Sequence, residues 1–498
     1  MNGPNVKDLA LLLPELILVC TALALILAAR RIQKTTWAAA LTVLAAVAAA
    51  LASAWLLSGG SKTGFGGMIT VDGYSQFFKV LIASALALVT LLSVTTDRPS
   101  PPDPRTQGPK DPQTHRPTDL QTHRPKPRPA EYHALLLLAS TGMMFAASAV
   151  DLLILYLGLE LATLCSYILV GITVEKPTSN EAAIKYFLLG SFASALLLYG
   201  IALAYGATGA TDFAAIASAF SSRGPGSHRI LLAAIGLLAA GLAFKIAAFP
   251  FHAWAPDAYQ GASTPVAAFL ATASKAAGLA ALGRVCLVAF AAEARVLSSV
   301  LAGLAGLSII VGSIMALSQT DMKRLLAYSS IAHAGYALLG FVSGTPEGAE
   351  ATMTYVFLYV FMTLGAFGVV IALGQRGESL NGYQGLAAQR PGTAALMLLF
   401  LLSLTGIPPT AGFAAKFVVI LSIVRAGHLA LAVLAVVCSV DWAFVYLRVA
   451  VLMYMKEPQE PAPSGFSMAV YTALAVAALV TIIGGIFPGS LATWVVSP

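Results

Sequence analysis

Nine ionisable residues fall well inside long apolar stretches: Glu160, Lys185, Lys245, Lys275, Arg284, His333, Lys416, Asp441 and Arg448. A charge at the centre of a membrane helix costs roughly 2.5–3.5 kcal/mol on insertion scales. For Glu160, Lys245, Lys275 and Lys416 together the bare cost is roughly 10–14 kcal/mol, as large as the net stability of a typical fold. These four must therefore pair or be hydrated, facing a polar axis between helices. Burial disfavours an ammonium, and a nearby carboxylate favours it. A Glu160–Lys245 pair is thus expected to hold a proton while closed and release it when opened. Proton transfer is the chemistry these residue types support.

The remaining ionisable residues divide between relay and anchor. His333 lies among small residues in AYSSIAHAGY, which favours a relay role. Lys185 follows Glu181 by one turn and equally fits an anchor at a helix end. Arg284 and Arg448 fit snorkelling towards a surface. His252 fits bonding to local carbonyls, and Asp151 fits a helix N-cap.

What must position these groups is a pair of broken helices. The stretch from Gly241 to Gly278 carries Lys245, breaks at Phe249-Pro250, passes through FHAWAPDAYQGAST and resumes as an apolar helix carrying Lys275. Proline removes a backbone donor, and a membrane tolerates the freed groups only against protein or trapped water. A second break, TGIPPTAG at Thr405–Gly412, precedes Lys416 by four residues. Gly/Pro-interrupted spans at matching places in two halves point to an inverted repeat with its ion path at the midplane.

Composition sets the frame. The 498 residues are 58% hydrophobic and only 10% charged, against about 25% charged in soluble domains. Apolar runs of helical length predict an all-α polytopic membrane protein of about fourteen transmembrane helices. The expected spans are 9–29, 37–57, 75–95, 132–149, 152–172, 183–205, 230–249, 265–290, 298–317, 325–343, 352–373, 393–424, 429–454 and 468–488. Residues 1–97 then hold three helices. Residues 131–290 and 291–455 hold two inverted five-helix repeats, each containing a broken helix, and 456–498 hold the last helix.

Residues 98–130 are of different material, with ten prolines, a doubled QTHRP and seven Lys or Arg. They cannot bury enough surface to offset chain entropy, so a disordered insertion is expected. His115 and His123 within it fit a solvated low-complexity segment better than a metal site. With the N-terminus outside, inner loops carry sixteen Lys and Arg and outer segments six. That bias predicts both termini on the outer side and the insertion in the cytoplasm. The formal charge of +7 is thus a matter of membrane orientation, and no nucleic-acid partner is expected. The four cysteines stand singly on separate apolar segments, with no spacing for zinc, haem or an iron–sulfur cluster.

Several segments carry a family resemblance: VDGYSQFFKV (71–80), LLILYLGLELATLCSYIL (152–169), EAAIKYFLLGSFASALLLYG (181–200), FPFHAWAPDAYQGASTPVAAFL (249–270), KRLLAYSSIAHAGY (323–336) and TGIPPTAGFAAKF (405–417). The chain resembles the antiporter-like membrane subunits of respiratory complex I, the NADH-quinone oxidoreductase, and within them the subunit N branch. The resemblance implies a bacterial inner-membrane subunit that moves protons as quinone is reduced elsewhere in the complex. It makes Glu160 the helix-five carboxylate, Lys245 the central pumping lysine, Lys275 and His333 the connecting relay, and Lys416 the lysine nearest the outer exit. Lys185 matches a helix-six lysine.

The same resemblance leaves this chain without cofactor or metal and places NADH, flavin, iron–sulfur clusters and quinone on partner subunits. Subunits M and K are the implied neighbours within the lipid bilayer. A subunit of a multisubunit cation/proton antiporter is the alternative, disfavoured by the HAWAPDAYQGA wording. Two departures stand out: the 98–130 insertion replaces a short loop, and Asp441 stands where a small neutral residue is expected.

Overall fold

The computed structural model describes residues 6–32, 34–94, 129–222, 225–459, 461 and 465–487. The insertion expected at 98–130 lies outside these residues, apart from its last two. Each of the fourteen expected spans lies over helix, from Leu13–Leu27 and Thr35–Leu57 through to Met468–Ile486. Among the described residues, eleven helices are long and apolar enough to cross a membrane.

The three expected spans outside that set have identifiable reasons. Leu13–Leu27 has only 15 residues, because the chain turns at Leu11 and Leu12 after the short Val6–Ala10 helix. Pro129–Ser148 opens with Glu131, Tyr132 and His133, which lower its apolarity. The twelfth is divided into Pro391–Thr405 and Ala411–Arg425.

Short polar residues fix where helices begin. The Asp151 carboxylate accepts from the amides of Leu153 (2.8 Å) and Ile154 (3.3 Å), so Asp151 is the N-cap of Leu152–Val170. Asp72 and Ser75 form a reciprocal capping box at the start of Gly73–Ser93. Such caps satisfy amides that have no intrahelical partner.

Helix ends sort onto two sides. Thr35, Ser93, Pro129, Ile172, Thr264 and Gly374 line one cavity of about 430 Å³, so these ends share a face of the protein. At the opposite ends of the helices an antiparallel hairpin pairs Lys62–Gly64 with Ile69–Val71. Isolated bridges then join Ile69 to Ala149 and Asp151 to Asp212.

Burial is uneven. Met322–Val342 is buried along 100% of its most apolar stretch and Thr264–Ala289 along 94%, whereas Leu429–Met455 is buried along only 28%. The two central helices are those that carry His333 and Lys275, so neither side chain can reach lipid. Between helices in a bilayer the lipid is as apolar as leucine, and close packing of small residues does the work instead. Pro129–Ser148 meets Leu152–Val170 in this way. A Cβ on Gly142 would lie 2.5 Å from the Gly158 carbonyl, and one on Gly158 would lie 2.8 Å from the Gly142 carbonyl. That contact sets the position of Glu160, two residues along.

Candidate functional site

The first break places Lys245. Pro225–Lys245 ends at that residue, Ala247 turns to φ +55°, and the chain runs irregularly to the short helix Trp254–Gly261. Backbone groups released by the break are taken up by neighbours. The Phe249 amide donates to Ser308 Oγ at 2.9 Å, and Trp254 Nε1 donates to the Phe244 carbonyl at 3.0 Å. The Trp254 ring stacks on Tyr186 with centroids 4.3 Å apart. Uptake by neighbouring protein groups lets a membrane span be interrupted without stranding polar backbone.

Lys245 Nζ lies 3.1 Å from Glu160 Oε1 and donates to Thr163 Oγ1 at 2.7 Å. Ser194 Oγ donates to the same carboxylate oxygen. The lysine side chain is 6% exposed and the glutamate 19%. The carboxylate is therefore the member of the pair nearer to outside access, and it is shared between three helices.

Lys275 sits where a π-helical turn, Leu270–Ser274, passes into α-helix. Such turns break the regular ladder and occur often at functional sites. Its Nζ donates to the Ser330 carbonyl of the adjacent helix. His333 lies three residues along that helix, fully buried, with Nδ1 2.5 Å from Tyr355 Oη. The ring also packs against those of Tyr359 and Tyr336, with centroids 5.1 and 6.1 Å away.

The second break places Lys416. Gly406, at φ +90°, ends the helix, and a Cβ there would come within 2.9 Å of Lys416 Cδ. The Gly412 amide is taken up by Ser403 Oγ at 3.0 Å. Lys416 Nζ donates to the Thr405 carbonyl at 2.7 Å and to Ser439 Oγ at 2.8 Å, and lies 4.6 Å over the Tyr336 ring. No carboxylate lies within ion-pair distance of it among the described residues.

A row of polar groups results. Lys275 bonds to the helix of His333, His333 bonds to Tyr355, and the Thr405 carbonyl holds Lys416. Lys245 joins this row through packing: a Cβ on Gly278, one turn from Lys275, would lie 3.4 Å from Lys245 Cβ. Among the described residues no hydrogen bond joins the two lysines directly.

Lys185 stands apart. Nearly half exposed, it pairs with Glu181 at 2.8 Å and Asp257 at 3.0 Å, and Arg324 Nη1 donates to Asp257 at 2.7 Å. Asp257 lies on the short helix outside the spans. Partial burial pushes its pKa up, but bonds from Arg324 and Lys185 outweigh that and hold the carboxyl below the usual carboxylate range.

One buried and one partly buried ion pair escaped the sequence reading. Lys79 Nζ is 2.7 Å from Glu15 Oε1, with exposures of 0% and 1%. Lys79 was legible, since it lies inside VDGYSQFFKV, but Glu15 sits near a helix start where an acidic residue is ordinary. Arg284 does not snorkel as expected. It grips Asp72 through two bonds, at 2.6 and 2.8 Å, because the capping residue of Gly73–Ser93 lies beside it. Arg448 does reach a helix end, donating to the carbonyls of Leu317 and Gln319 at 3.0 and 2.7 Å.

A broken helix with a buried lysine, set against a carboxylate of a neighbouring span, defines an antiporter-like membrane subunit. Residues 149–440 match the family described as NADH:quinone oxidoreductase/Mrp antiporter, TM. NADH-quinone oxidoreductase subunit N of Desulfovibrio desulfuricans is 44% identical over 519 residues, covering 99% of this chain and 97% of the relative. Subunit N 2 of Rhizobium meliloti is 41% identical over 483 residues, covering 95% and 94%. The chain belongs to the NADH-quinone oxidoreductase subunit N family. Among solved structures, a chain of respiratory complex I from Thermus thermophilus with bound aureothin superposes with a TM-score of 0.79 at 34% identity, covering 96% of this chain and 98% of that one. A chain of the Mrp complex from Dietzia sp. DQ12-45-1b has a TM-score of 0.81 at 21% identity, covering 97% and 95%, a likeness of fold alone.

Proposed function

We propose that this chain is a proton-translocating, non-redox membrane subunit of a bacterial NADH-quinone oxidoreductase. Its part is to pass protons through Glu160, Lys245, Lys275, His333 and Lys416 while electrons travel from NADH to quinone on partner subunits. The observation that carries this reading is the Glu160–Lys245 pair at 3.1 Å beside the first helix break. A carboxylate and an ammonium at this distance share a proton's stability between them. Separating the two leaves the ammonium poorly solvated and ready to lose its proton. Lys185, paired at the surface, serves better as an anchor for Trp254–Gly261 than as a relay member. Identities of 40–44% to subunit N relatives favour this reading over a cation/proton antiporter.

The arrangement is that of two inverted five-helix repeats at 131–290 and 291–455, in the inner membrane of a bacterium, with both termini outside. Subunits M and K are the expected neighbours, and flavin, iron–sulfur clusters and quinone belong to partners. The test is to isolate the native assembly and follow proton uptake into vesicles on adding NADH. Co-purification with NADH-oxidising subunits and uptake coupled to quinone reduction are expected. An assembly that exchanges cations for protons and lacks a redox subunit would overturn the proposal. A cysteine at Ser100 should resist a membrane-impermeant thiol reagent in intact cells, and ready labelling would reverse the orientation.

A further inference from the structure

Asp441 is exposed, and its surroundings make that exposure informative. It lies mid-way along Leu429–Met455, about 18 Å from one end and about 21 Å from the other at the helical rise of 1.5 Å per residue. Val437, Val440 and Phe444, its neighbours on the same helical face, are also exposed. The outward surface here is thus apolar on both sides of a carboxylate set at mid-bilayer. Lipid headgroups cannot reach that depth, and an aspartate is too short to snorkel to them.

The described residues of the chain supply no partner either. Among the described residues, no hydrogen bond or ion pair is made by Asp441. Lys416 faces inward, held by Thr405 and Ser439. Arg448, two turns along the same face, is bound to the Leu317 and Gln319 carbonyls. Intramembrane charges are otherwise paired or set against water, as the Lys79–Glu15, Lys245–Glu160 and Arg284–Asp72 pairs of this chain illustrate.

We propose that the face of Leu429–Met455 centred on Asp441 docks a transmembrane helix of another subunit, one that presents a lysine or arginine at mid-bilayer to this carboxylate. The contact requires only that the chain be one subunit of a membrane assembly, so it stands apart from the relay. It also gives the neighbour a register, since a slip of one turn would leave both charges in lipid.

The native assembly is the material for the test. Asp441→Leu removes a charge from an apolar face, so it cannot weaken the isolated chain's own packing. It is expected to lower the amount of assembled complex at least tenfold while the level of this chain in the membrane is unchanged. A photo-crosslinking residue in place of Val440 should capture a span of another subunit that contains a mid-span lysine or arginine. Changing that cation to aspartate together with Asp441→Lys should restore assembly. Normal assembly of Asp441→Leu, capture of lipid alone, or capture of a span without a cation would each overturn the proposal.

Discussion

The two broken helices look alike in sequence and differ in electrostatics. At the first, Lys245 meets a carboxylate and a hydroxyl, Glu160 and Thr163. At the second, Lys416 meets a carbonyl, a hydroxyl and the face of Tyr336. One lysine is balanced by a full opposite charge, the other by dipoles and a ring quadrupole. Only the first can be switched by moving a partner away, because dipoles built into backbone carbonyls stay where the fold puts them. In the proposed relay, this contrast assigns gating of the proton to the first break and onward transfer to the second.

The largest effect expected from this difference is on stability. Lys245→Met should strand Glu160, and breaking a buried pair costs about 3–5 kcal/mol. The 19% exposure of the carboxylate places this case towards the lower figure. Lys416→Met strands no charge, so the amount and heat resistance of the assembled complex should stay near normal even as proton uptake is lost. Equal loss of assembly in both variants would erase the distinction. A smaller contrast lies in the backbone. Gly406→Ala forces an L side chain to φ +90° against Lys416, a conformation that costs on the order of 1–2 kcal/mol, and turnover should fall about tenfold. Ala247 already occupies φ +55° at the first break, so Ala247→Gly should leave turnover within about twofold. The smallest effect belongs to Ser439→Ala, which removes one of the two donor contacts of Lys416. A net hydrogen bond is worth about 1 kcal/mol, so proton uptake should slow a few-fold with assembly unchanged. No change at all would mean that the Thr405 carbonyl alone sets the lysine.

Much of this was legible because insertion cost is so large. A lysine in an apolar run demands explanation, and Lys245, Lys275 and Lys416 stand at polar contacts between helices, with His333 between the last two. The breaks were legible because proline and glycine mark them without reference to anything distant in the chain. What could not be read was pairing across long separations. Arg284 and Asp72 are 212 residues apart, and nothing in either neighbourhood names the other. Lys185 could be read either as relay or as anchor; its i,i+4 partner Glu181 was visible in the sequence, but its second partner Asp257, 72 residues away, was not. Three of the fourteen expected spans fall outside the eleven long apolar helices because one is short, one is polar at one end and one is split.

The central claim is that Lys245 must be able to lose its proton, and Lys245→Arg tests it most directly. Arginine keeps the charge and can keep the bond to Glu160, but with a pKa above about 12 it does not deprotonate. A structural counter-charge would survive the exchange, whereas a relay would not. The measurement is proton uptake into vesicles on NADH addition, alongside the amount of assembled complex. The account predicts normal assembly with proton uptake and coupled NADH–quinone turnover both depressed. Normal uptake at normal assembly would contradict it and return Lys245 to a structural role.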